Sequence, residues 1–293
     1  QHKVNTLGIS PTLIRHLKAQ GEEWVDKHDL STLRLLGSTG EPWDQDSYMW
    51  FFDKVGKKRC PIINISGGTE IVGCLLSPLP VMPLKPCSLG APGLGMAIDV
   101  FSEEGQSVHD EIGHLVCRKP APSMTRGFLK DPDRYVETYF TKFPGVWYHG
   151  DWAKVDNDHS WFLFGRSDDT IKVSGKRVGP GEVESVLVEH PEVSEAAVIG
   201  VPHELKGECL VCFIVMMPGQ SLSTDMLKEL RDMVGSRLGA TLKPDTILAV
   251  QALPKTRSGK IVRATIKRKY LGQETGDLSS VENPEALELI VAK

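Results

Sequence analysis

The sequence predicts an α/β region followed by a separate α+β module. Apolar segments at 33–36 and 61–65 are each followed by a Gly-containing loop, which is the layout of an α/β sheet. Pro-rich text then leads into short alternating segments, which indicate a small β subdomain. The charged junction Ser167-Asp168-Asp169 precedes a new run of hairpin, helix and strand patterns. We therefore predict domains at 1–166 and 167–293.

The elements follow from hydrophobic periodicity and from the residues that begin and end helices and strands. In the first region we predict helices over 12–20 and 47–55, and strands over 33–36, 61–65, 97–101, 113–117, 152–155 and 161–164. In the second region we predict a hairpin of 170–173 with 177–178, helices over 180–190, 225–238 and 264–271, and strands over 196–201, 209–217 and 246–253.

Composition and charge exclude several classes of protein. The chain has 293 residues, of which 40% are hydrophobic and 25% charged, with a net charge of −4. These values are ordinary for a globular protein. The longest apolar run, Cys209–Met217, is much shorter than the roughly 20 residues that span a bilayer. The chain lacks a secretory signal and an initiator Met, so we expect a piece of a longer, non-membrane protein.

The six cysteines do not suggest a disulfide framework. Cys209 and Cys212 form a Cys-x-x-Cys pattern within a predicted strand, where residues three apart point to opposite faces. A buried structural role is therefore favoured over a metal or redox site. This cysteine usage predicts a reduced, cytoplasmic protein.

Two Gly-containing loops follow the predicted strands of the first region. Gly40-Glu41-Pro42 follows the first strand, and Ser66-Gly67-Gly68-Thr69-Glu70 follows the second. Such turns let a backbone approach an anion closely, and a Thr hydroxyl with a Glu carboxylate suits phosphate and Mg²⁺. Taken singly, each loop is better explained as a plain turn than as a ligand site, by about two to one.

The segment Tyr148-His149-Gly150-Asp151 places an acidic residue at the end of an apolar run. An Asp in that position can accept hydrogen bonds from both hydroxyls of a ribose. A turn Asp is the alternative. We expect His149 to be structural or solvent-facing, because the sequence identifies no partner for it.

Seven basic residues and no acidic residue occupy 251–272. A solvated basic face is the simplest interpretation, and a nucleic-acid surface is disfavoured by the negative net charge and the scarcity of aromatic residues. Gly259-Lys260 in a Ser/Gly loop favours delivery of one Lys to a phosphate-bearing ligand. The seven residues are Lys255, Arg257, Lys260, Arg263, Lys267, Arg268 and Lys269.

Three stretches carry a family resemblance: YHGDWAKVDND, GRSDDTIKVSGKRVGPGEVESVLVEHP and LPKTRSGKIVR. Together they resemble the adenylate-forming superfamily, and within it the acetyl-CoA synthetase branch with its short- and medium-chain relatives. The resemblance covers nearly the whole chain and corresponds to the C-terminal half of such an enzyme. It implies the end of a large adenylate-forming domain followed by a small mobile α+β domain.

The resemblance implies an AMP-forming acid–CoA ligase. ATP and a carboxylic acid would form an acyl-adenylate, and CoA would then attack it after the small domain rotates. Mg²⁺ is the implied cofactor, and a lysine acetyltransferase acting on Lys260 is a possible regulator. The implied roles are adenine contacts at Gly40, Glu41 and Pro42, phosphate at Thr69 and Arg177, Mg²⁺ at Glu70, ribose at Asp151 with Arg166 nearby, the hinge at Asp168, the CoA path at Ser174 and Gly175, the acyl pocket at Gly67, and adenylation at Lys260.

Two departures from the family pattern matter. The Ser/Thr/Gly-rich phosphate loop is absent, and Ser38-Thr39-Gly40 imitates only a piece of it, so we expect the isolated chain to be inactive. Gly67 stands where acetate-restricted members carry a Trp, which predicts room for acids longer than acetate. The alternative for Gly67 is a turn residue that needs a positive φ. Two other functions stay open: a nucleotide- or CoA-binding module without turnover, and an adenylation domain that serves a carrier protein.

Overall fold

The computed structural model describes residues 2–167, 169–257 and 259–291. These residues fold as two compact units, Gln1–Ser167 and Asp168–Lys293. Among the described residues, no helix combines the length and hydropathy that crossing a bilayer requires.

The first unit contains nine strands and four α-helices in its described part. A π-helical turn, Phe51–Val55, continues the third helix. In chain order the elements are β1 (Thr6–Ile9), α1 (Pro11–Ala19), α2 (Glu23–Asp26), β2 (Leu35–Ser38), α3 (Gln45–Trp50), β3 (Ile62–Asn64), β4 (Ser66–Gly68), β5 (Gly73–Leu76), β6 (Ile98–Phe101), β7 (Gly113–Cys117), α4 (Pro132–Phe140), β8 (Trp147–Val155) and β9 (Trp161–Arg166).

A parallel sheet in the order β1-β2-β3 begins this unit. Its core contains Leu36 and Ile62 from the strands, with Ile14 of α1 and the π-helical Phe51 packed against them. Because β2 and β3 run parallel, the loops that follow them lie at the same edge of the sheet. These two segments contain the glycines predicted to lie near a ligand, and the second of them forms β4 and the turn after it.

The rest of the first unit is antiparallel. Strands β6-β7-β8-β9 form one sheet, and β4-β5 form a separate hairpin. Helix α4 packs its aromatic side chains on β8, with the Tyr139 ring stacked 3.9 Å from that of Trp147. The predicted β subdomain is therefore present, and β8 is its long central element.

The second unit is a sheet covered on both faces. Its elements are β10 (Ile171–Val173), β11 (Lys176–Val178), α5 (Pro180–Leu187), β12 (Val193–His203), β13 (Gly207–Met216), α6 (Thr224–Leu238), β14 (Thr246–Val250) and α7 (Arg263–Tyr270), with 3₁₀ turns at Ala240–Leu242 and Pro284–Leu289.

Alternation along β13 decides which side chain faces which layer. Leu210, Cys212 and Ile214 pack against α5 and α6, whereas Val211 and Phe213 pack against α7 and the C-terminal segment. Cys212 is fully buried, and burial raises the pKa of its thiol. The Cys-x-x-Cys pattern thus lies in a buried strand, as predicted.

The fold class predicted from the sequence is confirmed, and most predicted elements lie within two or three residues of the observed ones. Three differences affect the site. Gly67 lies in the strand β4 rather than in a loop. Strand β8 begins at Trp147, five residues before the predicted start, so His149 and Asp151 lie inside a strand. Helix α4 was not predicted at all.

Candidate active site

Residues far apart in the sequence converge around one buried imidazole in the first unit. His149 Nδ1 lies 3.6 Å from Glu70 Oε1, and His149 Nε2 lies 3.5 Å from Asp151 Oδ2. Arg166 Nη1 lies 3.7 Å from Asp151 Oδ1. Three residues predicted to bind nucleotide or metal, namely Glu70, Asp151 and Arg166, therefore occupy one location.

The sequence leaves two alternatives for His149, a structural side chain or a solvent-facing one. His149 is only 5% exposed, so the solvent-facing alternative is wrong and the structural one agrees with its burial. The Trp147 indole N–H also donates to its Nδ1 at 3.4 Å. Successive odd-numbered residues of a strand share a face, so Trp147, His149 and Asp151 could have been grouped by period-two alternation once the strand was extended.

Arg166 is held in place by the pairing of β8 with β9. Asp151 and Arg166 are paired residues in that ladder. The guanidinium folds back across Gly150 and donates from Nη1 to the His149 carbonyl oxygen at 2.8 Å. Gly150 has a φ of +83°, and a Cβ there would lie 2.5 Å from Arg166 Nη2. Glycine is therefore required at this position for two reasons, its backbone conformation and the close approach of Arg166.

Glu70 projects from the tight turn between β4 and β5. Its backbone oxygen accepts a hydrogen bond from the Thr125 N–H at 2.7 Å. Its carboxylate lies against the backbone of Gly68, where a Cβ would come within 2.3 Å of Oε1. Burial raises the pKa of the Tyr139 phenol, and the negative charge of Glu70 adds to the effect. Tyr139, which the sequence analysis did not identify, is thus a neighbour of this carboxylate.

The Glu70 carboxylate fits a magnesium ion that takes most of its ligands from phosphates and water. Among the described residues, no group of three or more His, Cys, Asp or Glu side chains could enclose a metal. Mg²⁺ commonly uses only one or two protein carboxylates, with phosphates and waters completing its shell. The Glu70 carboxylate, which is 24% exposed, suits that arrangement.

The two Gly-containing loops differ in what their side chains do. The Glu41 carboxylate accepts hydrogen bonds from the Thr12 N–H and from Arg15 Nη2, each at 2.8 Å, and so ties its loop to α1. The side chain of Glu41 is therefore committed to the fold. Thr69, by contrast, is exposed in the turn before Glu70.

Gly67 is exposed on β4, and its backbone has no positive φ. The alternative that it is a turn residue requiring positive φ is therefore wrong. A Cβ at Gly67 would lie 2.0 Å from the Gly73 carbonyl oxygen on the paired strand β5. Close approach of the two strands explains the glycine, and any side chain here would have to displace the hairpin.

The second unit carries the other predicted residues. Ser174 and Gly175, with φ of 50° and 82°, form the two-residue turn between β10 and β11. Positive φ at both central residues is typical of a type I′ hairpin turn. Arg177 is exposed on β11. The predicted hinge, Asp168, lies outside the described residues.

Lys260 lies in an exposed loop closed by a bridge between Lys255 and Ile261. Its backbone N–H donates to Thr256 Oγ1 at 3.2 Å, and its carbonyl oxygen accepts from the Thr256 N–H at 2.9 Å. Gly259, with a φ of +81°, turns the chain just before it. Within the described part of the chain, the Lys260 ammonium forms no ion pair.

Ion pairs account for four of the seven basic residues around this loop. Arg263 Nε donates to Glu184 Oε1 at 2.7 Å, and Glu184 is buried. Two exposed cations, Arg257 and Lys260, are left in the loop itself. The other pairs are Lys255 with Glu195 (2.6 Å), Lys267 with Glu208 (3.2 Å) and Lys269 with Glu288 (3.0 Å).

The chain is similar in sequence to curated enzymes. The chain is 42% identical to the acetyl-coenzyme A synthetase of Methanothrix thermoacetophila over 99% of this chain and 45% of the relative. It is 41% identical to the acetyl-coenzyme A synthetase of Chlorobaculum tepidum, over 98% and 44%. The chain thus spans about half the length of the curated relatives it matches.

The chain also superposes on about half of two solved enzyme structures. The acetoacetyl-CoA synthetase from Streptomyces lividans superposes with a TM-score of 0.86 at 29% identity, over 98% of this chain and 45% of that one. The anthranilate CoA ligase AuaEII in complex with anthranoyl-AMP superposes with a TM-score of 0.74 at 30% identity, over 89% and 49%.

Two family models match separate parts of the chain. The model described as AMP-binding enzyme matches residues 1–129, and the model described as AMP-binding enzyme C-terminal domain matches residues 182–260. The matches follow one another in the same order as the two structural units. The chain therefore belongs to the family of AMP-binding enzymes.

Proposed function

We propose that this chain is part of an AMP-forming acid–CoA ligase. Such an enzyme joins a carboxylic acid to ATP to give an acyl-adenylate and pyrophosphate, and then transfers the acyl group to CoA with release of AMP. The observation that carries the proposal is the convergence of Glu70, Asp151 and Arg166 around His149. Relatives named as acetyl-CoA synthetases and CoA ligases support it.

Nucleotide binding falls to the first unit. The Asp151 carboxylate accepts hydrogen bonds from the two ribose hydroxyls, while Arg166 holds that carboxylate in orientation. Thr69 donates to a phosphate oxygen. Glu70 would hold Mg²⁺, and the ion would supply positive charge to the phosphates. Because the Glu41 side chain is tied to α1, adenine contacts at Gly40, Glu41 and Pro42 come from the backbone of that loop.

Joining a carboxylate to ATP brings two anions together, so fixed positive charge must be present where they meet. Lys260 provides it in our proposal, because its ammonium is exposed at the end of a loop without an ion-pair partner in the described residues. It bridges the carboxylate and the α-phosphate as the new bond forms.

Thioester formation uses other residues of the second unit. Ser174 and Gly175 line the path of the CoA thiol, and Arg177 faces phosphate. Two reactions at one site require an exchange of groups, and we propose Asp168 as the hinge for it. The boundary between the two compact units, at Ser167 and Asp168, supports that position.

The chain length of the acid depends on the pocket around Gly67 in our proposal. Gly67 carries no side chain to close the acyl pocket in the role that the family resemblance gives it. We propose that acids of three or more carbons fit, besides acetate.

Lys260→Ala tests the proposal in a protein that carries this chain at the full length of its relatives. Release of pyrophosphate should fall by about 100-fold or more, the size of a lost transition-state charge contact. Thioester formation from presynthesised acyl-adenylate should persist, because it does not need the bridging charge.

Arg257→Ala is the matched control, since Arg257 is an exposed cation of the same loop. It should change both half-reactions by less than about threefold, in keeping with a surface substitution. Equal loss of both half-reactions in Lys260→Ala would remove the proposed role of Lys260.

A further inference from the structure

A C-terminal segment runs along the base of the loop that carries Lys260. We call residues 278–290 the C-terminal strap. The strap lies beyond the region that the C-terminal family model matches, which ends at residue 260. The strap contacts the residues on either side of the Lys260 loop.

The strap is hydrogen-bonded to residues 253–256, at the start of the loop, through both backbone and side chain. Val281 forms an antiparallel bridge with Thr256, and the Glu282 N–H donates to the Lys255 carbonyl oxygen at 2.8 Å. Asn283 Oδ1 accepts from the Lys255 N–H at 2.8 Å, and Asn283 Nδ2 donates to the Leu253 carbonyl oxygen at 3.0 Å. One amide side chain thus satisfies a backbone donor and a backbone acceptor of the segment 253–256.

Residues 253–256 are bonded on both sides. One side faces the strap, and the other faces the residues that follow the tip of the loop. The Val262 N–H donates to the Pro254 carbonyl oxygen at 3.1 Å, and the Thr256 N–H donates to the Lys260 carbonyl oxygen at 2.9 Å. Hydrogen bonds from two sides restrict the backbone at the base of the loop more than bonds from one side alone would.

The strap has its own anchors in the core. Leu287 and Ile290 are 2% and 1% exposed. Ile290 packs in one cluster with Leu253 and Ile266. These apolar contacts hold the strap to the sheet independently of Asn283, so replacement of the amide should loosen the loop without releasing the strap.

We propose that Asn283 is a positioning residue that sets the location of Lys260. This inference rests on the proposed function, in which Lys260 acts in adenylation. Asn283 fixes Lys255, the bridge from Lys255 to Ile261 closes the loop, and Thr256 is bonded to the backbone of Lys260 on both sides. Displacement of a reacting group by about 1 Å can cost roughly 10²-fold in rate, so a loosened base matters even though the tip is unchanged.

The test compares the two half-reactions of Asn283→Ala in the full-length protein. Acyl-adenylate formation should fall by about 10- to 100-fold. Thioester formation from presynthesised acyl-adenylate should stay within about twofold, because that reaction does not use Lys260 in the proposed function. Glu282→Ala is the matched control: its side chain is exposed, its backbone hydrogen bond persists, and both half-reactions should be unchanged.

Lys260→Ala, measured in parallel, separates the two ideas. If Lys260→Ala abolishes adenylation and Asn283→Ala does not affect it, the positioning role is overturned while the proposed function stands. If Lys260→Ala leaves adenylation unchanged, the proposed role of Lys260 and the positioning role of Asn283 are both overturned, while the ligase activity itself stands. Equal loss of the two half-reactions in Asn283→Ala indicates general structural damage and also overturns the positioning role.

Asn283→Asp keeps the test decisive if Asn283→Ala fails to fold. The aspartate retains an acceptor for the Lys255 N–H, but in place of the donor it sets a charged carboxylate oxygen against the Leu253 carbonyl oxygen. An intermediate loss confined to adenylation supports the proposal, and an unchanged or evenly reduced enzyme overturns it.

Discussion

Gly150 determines where Arg166 can lie, and through Arg166 it affects the carboxylate of Asp151. The guanidinium passes directly over the glycine Cα on its way to the His149 carbonyl oxygen. In the proposed site, Asp151 binds the ribose only if its carboxylate is correctly oriented. A residue without a side chain is therefore part of the proposed nucleotide site.

Gly150→Ala should weaken ATP binding for this reason. The new Cβ would displace Arg166, and loss of a charge-assisted contact corresponds to about 1.5–3 kcal/mol, or a rise of tenfold or more in KM for ATP. Steady-state kinetics of the full-length protein measures this directly.

Gly145→Ala is the matched control. Gly145 also has a positive φ, +77°, but a Cβ there meets nothing within 4 Å. Both variants should lose about 1–2 kcal/mol of stability from the left-handed backbone. Only Gly150→Ala should raise KM for ATP; an equal rise in both would show that backbone strain, rather than Arg166, is responsible.

Gly67 requires a test without substitution, because its Cβ would meet the Gly73 carbonyl oxygen and disturb β4 and β5. We predict that acids longer than acetate are better substrates of the full-length protein. Each methylene buried in an open pocket contributes about 0.8 kcal/mol, so kcat/KM should rise roughly fourfold per carbon until the pocket is full. A kcat/KM series over acids of two to eight carbons checks this, and a preference for acetate over every longer acid would contradict it.

At the scale of elements, a buried carboxylate joins three parts of the second unit. Glu184 of α5 accepts hydrogen bonds from the Val198 N–H of β12, at 2.9 Å, and from Arg263 at the start of α7. The side chains of Glu184 and Arg263 are 11% and 21% exposed. A charge at this depth is tolerated because it is paired and hydrogen-bonded.

Arg263→Ala should therefore destabilise the fold by about 3 kcal/mol, since removal of one partner leaves a buried charge uncompensated. Urea denaturation of the full-length protein, followed through the transition of the second unit, gives the change in free energy of unfolding. Arg257→Ala, which removes an exposed cation from the neighbouring loop, should change it by less than about 0.5 kcal/mol. Similar values for the two variants would contradict the structural role of Arg263.

Hydrophobic periodicity predicts some helices and strands closely and misses others. Long apolar strands such as β13 and the amphipathic helix α6 were predicted closely, because burial imposes their patterns. Helix α4 was missed because Tyr135, Tyr139 and Phe140 are not strong helix formers, and their packing on Trp147 stabilises the helix instead. Tertiary contacts outweighed local preference there.

The sequence predicts only those parts of the candidate site that depend on neighbouring residues. Asp151, Arg166 and Lys260 stand in motifs that can be read from consecutive residues. The approach of Glu70 to His149 cannot be, because it depends on how the β4–β5 turn packs against β8. The strap and Asn283 were also out of reach, since their contacts join the C-terminal segment to residues about 30 positions earlier.

At the scale of the whole molecule, the proposed function divides one reaction sequence between two compact units. The first unit holds the residues proposed to bind ATP, and the second holds the lysine proposed to join ATP to the acid. In the proposed function both sets are needed for adenylation. The chain spans under half of the relatives' length, so the proposed activity is tested in a protein of the relatives' full length.

Acid-dependent exchange of pyrophosphate into ATP tests the central claim most directly. The full-length protein, supplied with Mg²⁺, ATP, labelled pyrophosphate and a short- or medium-chain acid, should catalyse exchange without CoA, because acyl-adenylate formation is reversible. Exchange should vanish when the acid is omitted, and addition of CoA should yield AMP and acyl-CoA. Tight binding of ATP or CoA without any exchange would contradict the ligase assignment and favour a binding module, and formation of ADP in place of AMP would exclude the proposed chemistry.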